Sequence, residues 1–340
     1  GFGTTTPAWL LQLASSTAPQ LTLTDPNGGT NAKHGVIRFA NGNFYIGTSS
    51  DALNATSTFL TISGTTGLVN IGVGNNTGTA PGYTTVVGYG NTASGDSGHP
   101  SVAFGISNIV QWSGVGLGIG NNTGLSSFAS AIGYLNTANS DNAAAFGHSN
   151  TSSASFASAF GYKNLTTATL SSAFGASTTA SGIQSSVFGA SSTATQLFAS
   201  AFGYNNTASA QGALAIGFGI TNSTASSTML GPSNVSKLTI LNSGAAGLGT
   251  TTPNWLLQLA SSTAPQLALT DSSAGANLKH WIMRSAGGSL FVATSSDAFA
   301  TSTTPSLTVN SNGYVGVGTT TPWTNLSVTG TSSADAFFAV

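Results

Sequence analysis

Ala131-Ile132-Gly133, Ala145-Phe146-Gly147, Ala159-Phe160-Gly161, Ala173-Phe174-Gly175, Val187-Phe188-Gly189, Ala201-Phe202-Gly203, Ala215-Ile216-Gly217 and Met229-Leu230-Gly231 follow one another at intervals of fourteen residues. The shared core is a small residue, a large apolar one and Gly. Fourteen residues are too few for a helical pair, yet they suffice for two short strands and two tight turns. A unit of that size cannot bury its apolar face alone and must stack on its neighbours. The period therefore predicts an all-β solenoid and, with it, a fibrous protein.

Adjacent strand residues point to opposite faces, so the Ala column and the Phe/Ile column face opposite ways. A thin interior holding Ala leaves the large side chains as a continuous outer stripe, the mark of an interface. A wider interior holding Phe is the alternative. Ser130, Ser158 and Ser200, on the Phe face, and the Tyr, Ala or His after each Gly favour the thin one. The expectation is self-association through the Phe/Ile column, closed by cyclic symmetry.

The run Ala-Ser-Ala-Phe-Gly-Tyr-Asn-Asn-Thr-Ala-Ser-Ala (199–210), and Asn91-Thr92-Ala93-Ser94 after Gly90, resemble the head repeats of trimeric autotransporter adhesins, the YadA-like heads. The resemblance covers about residues 75–231. It implies a left-handed parallel β-roll with three chains around one axis. The sequence departs from that family in using Phe where Ile or Val is commoner, and in its early turns. Gly74 to Gly88 is one step of fourteen, whereas Gly88 to Gly105 is seventeen, with residues 95–100 as an inserted loop. Asp96 and His99 make that loop the one non-repeated polar feature of the roll and a candidate contact. Gly105 to Gly133 reads as two turns, divided near Gly118 or Gly120.

A second repeat brackets the roll. Gly3-Thr4-Thr5-Thr6-Pro7 recurs as Gly249-Thr250-Thr251-Thr252-Pro253 and Gly318-Thr319-Thr320-Thr321-Pro322. After the first two comes nearly the same text, from Trp9-Leu10-Leu11-Gln12-Leu13 and Trp255-Leu256-Leu257-Gln258-Leu259 onward. Leu-x-Leu alternation marks half-buried strands, and Asn41-Gly42 and Gly287-Gly288 supply the positive φ of hairpin turns. These read as antiparallel hairpin modules. They resemble the Gly-Thr-Thr-x-Pro stalk modules of phage tail fibres and long bacterial surface proteins. The expected organisation is a stalk module (1–74), the roll (75–231), a connecting hairpin (232–248), a second module (249–317) and the start of a third (318–340). The ends read as cuts through a longer repetitive protein, with any anchor, signal peptide or receptor-binding tip outside it.

Composition narrows the function classes. Charged residues are 4% against an apolar fraction of 40%, with net charge −1 and no Cys. Disorder fits poorly, since the apolar residues are strictly periodic. No apolar run approaches the ~20 residues of a membrane helix, and no basic surface offers itself to nucleic acid. Gly114-Val115-Gly116-Leu117-Gly118-Ile119-Gly120 lacks the spacing of a nucleotide loop. Metal spacings, nucleophile elbows and paired carboxylates are likewise missing. The expectation is a non-enzyme without cofactor or metal.

Asp25, Lys33, His34, Arg38 and Asp51 recur as Asp271, Lys279, His280, Arg284 and Asp297, all displaced by 246. One reading is a site for a carboxylate, sulfate or sugar. The other is a polar cluster fixing strand register or chain-to-chain packing, and membership of a repeated module favours it. Asn-x-Ser/Thr triplets at Asn54, Asn75, Asn121, Asn150, Asn164, Asn205, Asn222, Asn234 and Asn325 are glycan acceptors in form, but a chain this rich in Asn, Ser and Thr generates them by composition. The function read from the sequence is a structural and adhesive segment of an extracellular, cell-surface or virion-surface fibre: a homotrimer, with end-to-end association and a host or matrix receptor as further partners. A phage tail-fibre segment with a receptor-binding role is one variant of that reading. An ice- or surface-binding solenoid, suggested by Thr137, Thr151, Thr179, Thr193, Thr207 and Thr221, is the other class.

Overall fold

Every regular element of the computed structural model is a β-strand, with no helix among the described residues, which are 1–52, 56–78, 83–95, 99–232, 237–263 and 265–330. The chain forms two compact units, Gly1–Val235 and Ser236–Val340.

The first unit opens with an antiparallel meander. Strand Leu21–Thr24 pairs with His34–Ala40, which pairs with Asn43–Ser49, which pairs with Thr56–Ser63, which pairs with Val69–Val73. The sharpest turn, Asn41-Gly42, has both residues at positive φ (50° and 76°), as a two-residue hairpin requires. Strand Val69–Val73 then does double duty. Its other edge pairs in parallel with Thr84–Tyr89 and starts a parallel β-solenoid.

That junction corrects one expected register: Gly72, and not Gly74, lies opposite Gly88. Beyond it Gly88 pairs with Gly105, Gly105 with Gly118 and Gly118 with Gly133, which settles the divided turn at Gly118. From there the ladder is regular, Gly133 to Gly147, Gly161, Gly175, Gly189, Gly203, Gly217 and Gly231. A seven-stranded parallel sheet of two-residue strands, Thr137–Ala138 to Thr221–Asn222, forms the other wall.

The interior between the walls is thin and made of methyl groups. Ala131, Ala145, Ala159, Ala173, Val187, Ala201 and Ala215 from one wall, and Ala138, Ala180, Ala194 and Ala208 from the other, have no exposed surface. Stacking at ~4.8 Å brings identical side chains into contact from rung to rung. Walls this close favour small residues, with Val187, Ile220 and Met229 the larger side chains admitted, which is why the Ala column lies inside and the Phe column outside.

The second unit repeats the meander. Leu267–Thr270, His280–Ala286, Ser289–Ser295, Leu307–Val309 and Val315–Val317 pair antiparallel in sequence. Strand Leu238–Ile240 likewise pairs antiparallel with Ala246–Leu248. The expected all-antiparallel modules need one correction. At each Gly-Thr-Thr-Thr-Pro the chain crosses between parallel partners: Ala246–Leu248 with Leu257–Leu259, Val315–Val317 with Leu326–Val328, and a Phe2–Leu13 bridge. A Thr hydroxyl accepts the amide two residues on in all three copies, Thr4 from Thr6, Thr250 from Thr252 and Thr319 from Thr321. The motif therefore opens a compact crossover, in which residues 249–256 and 318–325 make the connection, shorter than the dozen residues such connections usually need.

Candidate functional site

The outer face of the solenoid carries the Phe column as a stack of rings. Centroid separations are 4.7 Å for Phe146–Phe160, 4.9 Å for Phe160–Phe174 and for Phe174–Phe188, and 5.2 Å for Phe188–Phe202, with planes within 5° of parallel. The rung spacing of ~4.8 Å sets the separation of these parallel rings. Phe188 and Phe202 remain 39% and 37% exposed, so stacking covers ring faces and leaves an apolar edge open along the column. Next to it run the residues after each Gly, where His148 lies between Tyr134 and Tyr162 at 4.9 and 5.1 Å.

Between the two walls, at the turn after each Gly, runs a ladder of buried Asn. Asn91, Asn108, Asn121, Asn136, Asn150, Asn164 and Asn206 are at most 1% exposed. At Asn150 the side-chain amide donates to the carbonyls of Phe146 (2.8 Å) and Gly161 (2.7 Å) and to Asn136 Oδ1 (3.0 Å). Its own Oδ1 accepts from the backbone N–H and the side-chain amide of Asn164, both at 3.0 Å. Thr178 and Ser192 interrupt the row with hydroxyls: Thr178 Oγ1 donates to Asn164 Oδ1 and Ser192 Oγ to the Gly203 carbonyl. The ladder satisfies turn carbonyls that would otherwise be buried without partners. Sequence reading missed it, though Asn stands three residues after Gly88, Gly105, Gly118, Gly133, Gly147, Gly161 and Gly203.

The ladder also decides the triplets. Asn121, Asn150, Asn164 and Asn222 are buried, each with its amide nitrogen engaged, whereas Asn205 and Asn325 are exposed and Asn54 and Asn234 lie outside the described residues. Folded protein produced in a glycosylating host should carry no glycan at the four buried sites. Glycopeptide mass spectrometry finding one on Asn150 would contradict the ladder.

The repeated polar set is only partly brought together. Lys33 Nζ lies 3.5 Å and His34 Nε2 3.9 Å from the Asp51 carboxylate; in the second copy Lys279 and His280 stand 3.4 and 3.7 Å from Asp297. Thr24 and Thr270 hydroxyls hold the histidine Nδ1 atoms at 2.9 Å. Asn31 Oδ1 and Asn277 Oδ1 accept the Asp51 and Asp297 amides, both at 3.0 Å. The match of the two copies shows how strand register fixes the triad. Asp25 and Asp271 do not join it. They cap their own turns, accepting the amides of Asn27 and Ser273 at 2.9 Å. Arg38 and Arg284 stay apart as well, two residues beyond Val36 and Ile282 and so on the same sheet face.

Hydrogen bonds from Ser273, side chain before backbone, hold the Asp271 carboxyl below its ordinary 3.8. At Asp297 burial works the other way but is outweighed by the Asn277 backbone and Lys279, so its carboxyl is also lowered. A lowered acid stabilises the fold above its unfolded value and loses that contribution as pH falls through the folded one. These two carboxylates should therefore contribute fully above pH 3.8 and lose that contribution as pH falls below it. Both are on the surface, so the effect is small.

Asp96 lies outside the described residues, and the ring of His99 stacks on Trp112 at 5.9 Å. The Thr column is a single row, Thr137 opposite Thr151 and Thr179 through Thr193 and Thr207 to Thr221, broken by Leu165. Among the described residues no group of His, Cys, Asp and Glu is placed to hold a metal ion, and no helix is long and apolar enough to cross a membrane. No protein-family model and no curated protein sequence matches the chain.

Proposed function

We propose that this chain is a structural and adhesive segment of an extracellular or virion-surface fibre, assembled as a parallel homotrimer. In this reading the fourteen-residue turn is the unit of a left-handed roll of the YadA-head kind, and the hairpin modules serve as stalk. One observation carries the proposal: the chain's interior is filled by Ala, while its aromatic residues form an ordered stack with an open edge. A copy of the same chain, having the same rung spacing, is the partner whose side chains can meet that edge at every rung. Trp9, Trp255 and Trp323, beside the three Gly-Thr-Thr-Thr-Pro turns, are 77%, 73% and 83% exposed. They give the modules apolar surface of the kind that oligomers cover.

Phe160→Asp and Phe188→Asp should each abolish assembly, because a carboxylate would be desolvated at the contact without a partner. Size-exclusion chromatography of the variants should show a shift to a smaller or misfolded species. Unchanged elution of both would overturn the proposal. The Thr row favours a second reading, binding to ice. It is one residue wide and interrupted, so no thermal hysteresis is expected, and a measurable freezing gap would favour that reading instead.

A further inference from the structure

The chain has two arginines in 340 residues, Arg38 and Arg284, and they occupy equivalent positions of the two meanders. Neither makes an ion pair or hydrogen bond among the described residues. Each is half-buried against a cavity, of about 270 Å³ at Arg38 and about 380 Å³ at Arg284. A guanidinium is always charged and presents a planar fork of donors, so a half-buried one facing a cavity offers that fork to a bound anion.

Among the described residues no carboxylate fills that role. Asp25 accepts the Asn27 amide, Asp51 and Asp297 face their lysines, Asp141 accepts the Ser127 amide, and Asp271 takes both the Ser273 amide and hydroxyl. The other walls of the Arg284 cavity say what would. Thr301 offers a hydroxyl, His280 is oriented by Thr270, and Ile282 supplies an apolar floor. Phe299 stands at the rim, 77% exposed, its ring 5.4 Å from that of His280. It is held at φ 61°, a left-handed conformation costly for a bulky residue. The turn that imposes it is closed by the Phe299 amide on the Ser296 carbonyl (2.8 Å) and the Ser296 amide on the Ala300 carbonyl (3.0 Å).

We infer that the Arg284 cavity is a binding site for a carboxylate-bearing saccharide unit, with Arg284 gripping the carboxylate, Thr301 meeting a ring hydroxyl, and Phe299 covering the apolar face of the sugar. The cavity falls in the ~300–1,000 Å³ range of small-molecule sites, and a guanidinium–carboxylate fork is the strongest polar contact open to it. All of these residues belong to one chain, so the site does not depend on the homotrimer.

The test is titration of the full chain with glucuronate, followed by saturation-transfer NMR or calorimetry, with glucose as the neutral control. Saturable binding of glucuronate but not glucose is expected. Arg284→Gln should weaken it by about tenfold or more, and Arg284→Lys, which keeps the charge but loses the fork, should also weaken it. Phe299→Ala should weaken it by several-fold at unchanged thermal stability. The inference is overturned by equal binding of glucose and glucuronate, by binding that survives Arg284→Gln, or by no binding. It is overturned too if Arg284→Asp disrupts assembly and Asp271→Arg restores it, since the occupant would then be the carboxylate of a second copy. Sedimentation of the same samples reports oligomeric state separately, so failure of either reading is visible alone.

Discussion

Replacing Gly161 with alanine should cost about 4 kcal/mol or more of stability and lower the unfolding midpoint of the first unit by roughly 10 °C. Two independent obstacles combine at this position. Its φ is +120°, a region L side chains rarely adopt, and an added Cβ would lie 2.1 Å from the Gly175 carbonyl oxygen. That oxygen belongs to the neighbouring rung and also marks where the Asn164 amide donates, so it cannot move aside without opening the ladder. The control is Gly29→Ala, where nothing lies within 4 Å and φ is unexceptional; it should change stability by less than ~0.5 kcal/mol. Thermal melts followed by circular dichroism compare the two directly. A Gly161→Ala protein melting with the wild type would mean that the rungs are not stacked in this register.

Asn150→Leu should be comparably damaging although it keeps the number and branching of side-chain heavy atoms. The change strips the donor from the Phe146 and Gly161 carbonyls and from Asn136 Oδ1, and removes the acceptor of the Asn164 amides. Buried groups left unpaired cost ~1–3 kcal/mol each, and several are orphaned together, so a loss on the order of 4 kcal/mol is expected. Asn150→Thr should be milder, because the natural row already passes through Thr178, whose hydroxyl donates to the Asn before it. Chemical denaturation of the two variants checks the order. Equal stability of Asn150→Leu and wild type would show that the row is incidental.

Much of this was legible in the sequence, and the failures have physical causes. The Ala-Phe-Gly text sufficed for the solenoid and for which column lies inside, because strand alternation and residue size leave few other arrangements. The Asn ladder escaped because Asn is common here and its usual roles, turns and glycan triplets, are exposed ones; the signal was its fixed distance from Gly. The first rung was misplaced by two residues because Gly72 and Gly74 both precede Gly88 and only strand pairing separates them. The Gly-Thr-Thr-Thr-Pro crossover was read within antiparallel modules, since hairpins are the usual short connection between strands. The polar set was overgrouped: recurrence at one offset proves a repeated module, but contact depends on strand position. Lys33, His34 and Asp51 meet across paired strands, while Asp25 turns to its own loop and Arg38 to a cavity.

Sedimentation equilibrium of the wild-type chain at micromolar concentration bears most directly on the central claim, that the stacked aromatic edge is closed by copies of the same chain. The account predicts a single species of three times the 33.6 kDa chain mass, losing that mass in Phe160→Asp. A well-folded β-rich monomer of 33.6 kDa would contradict it.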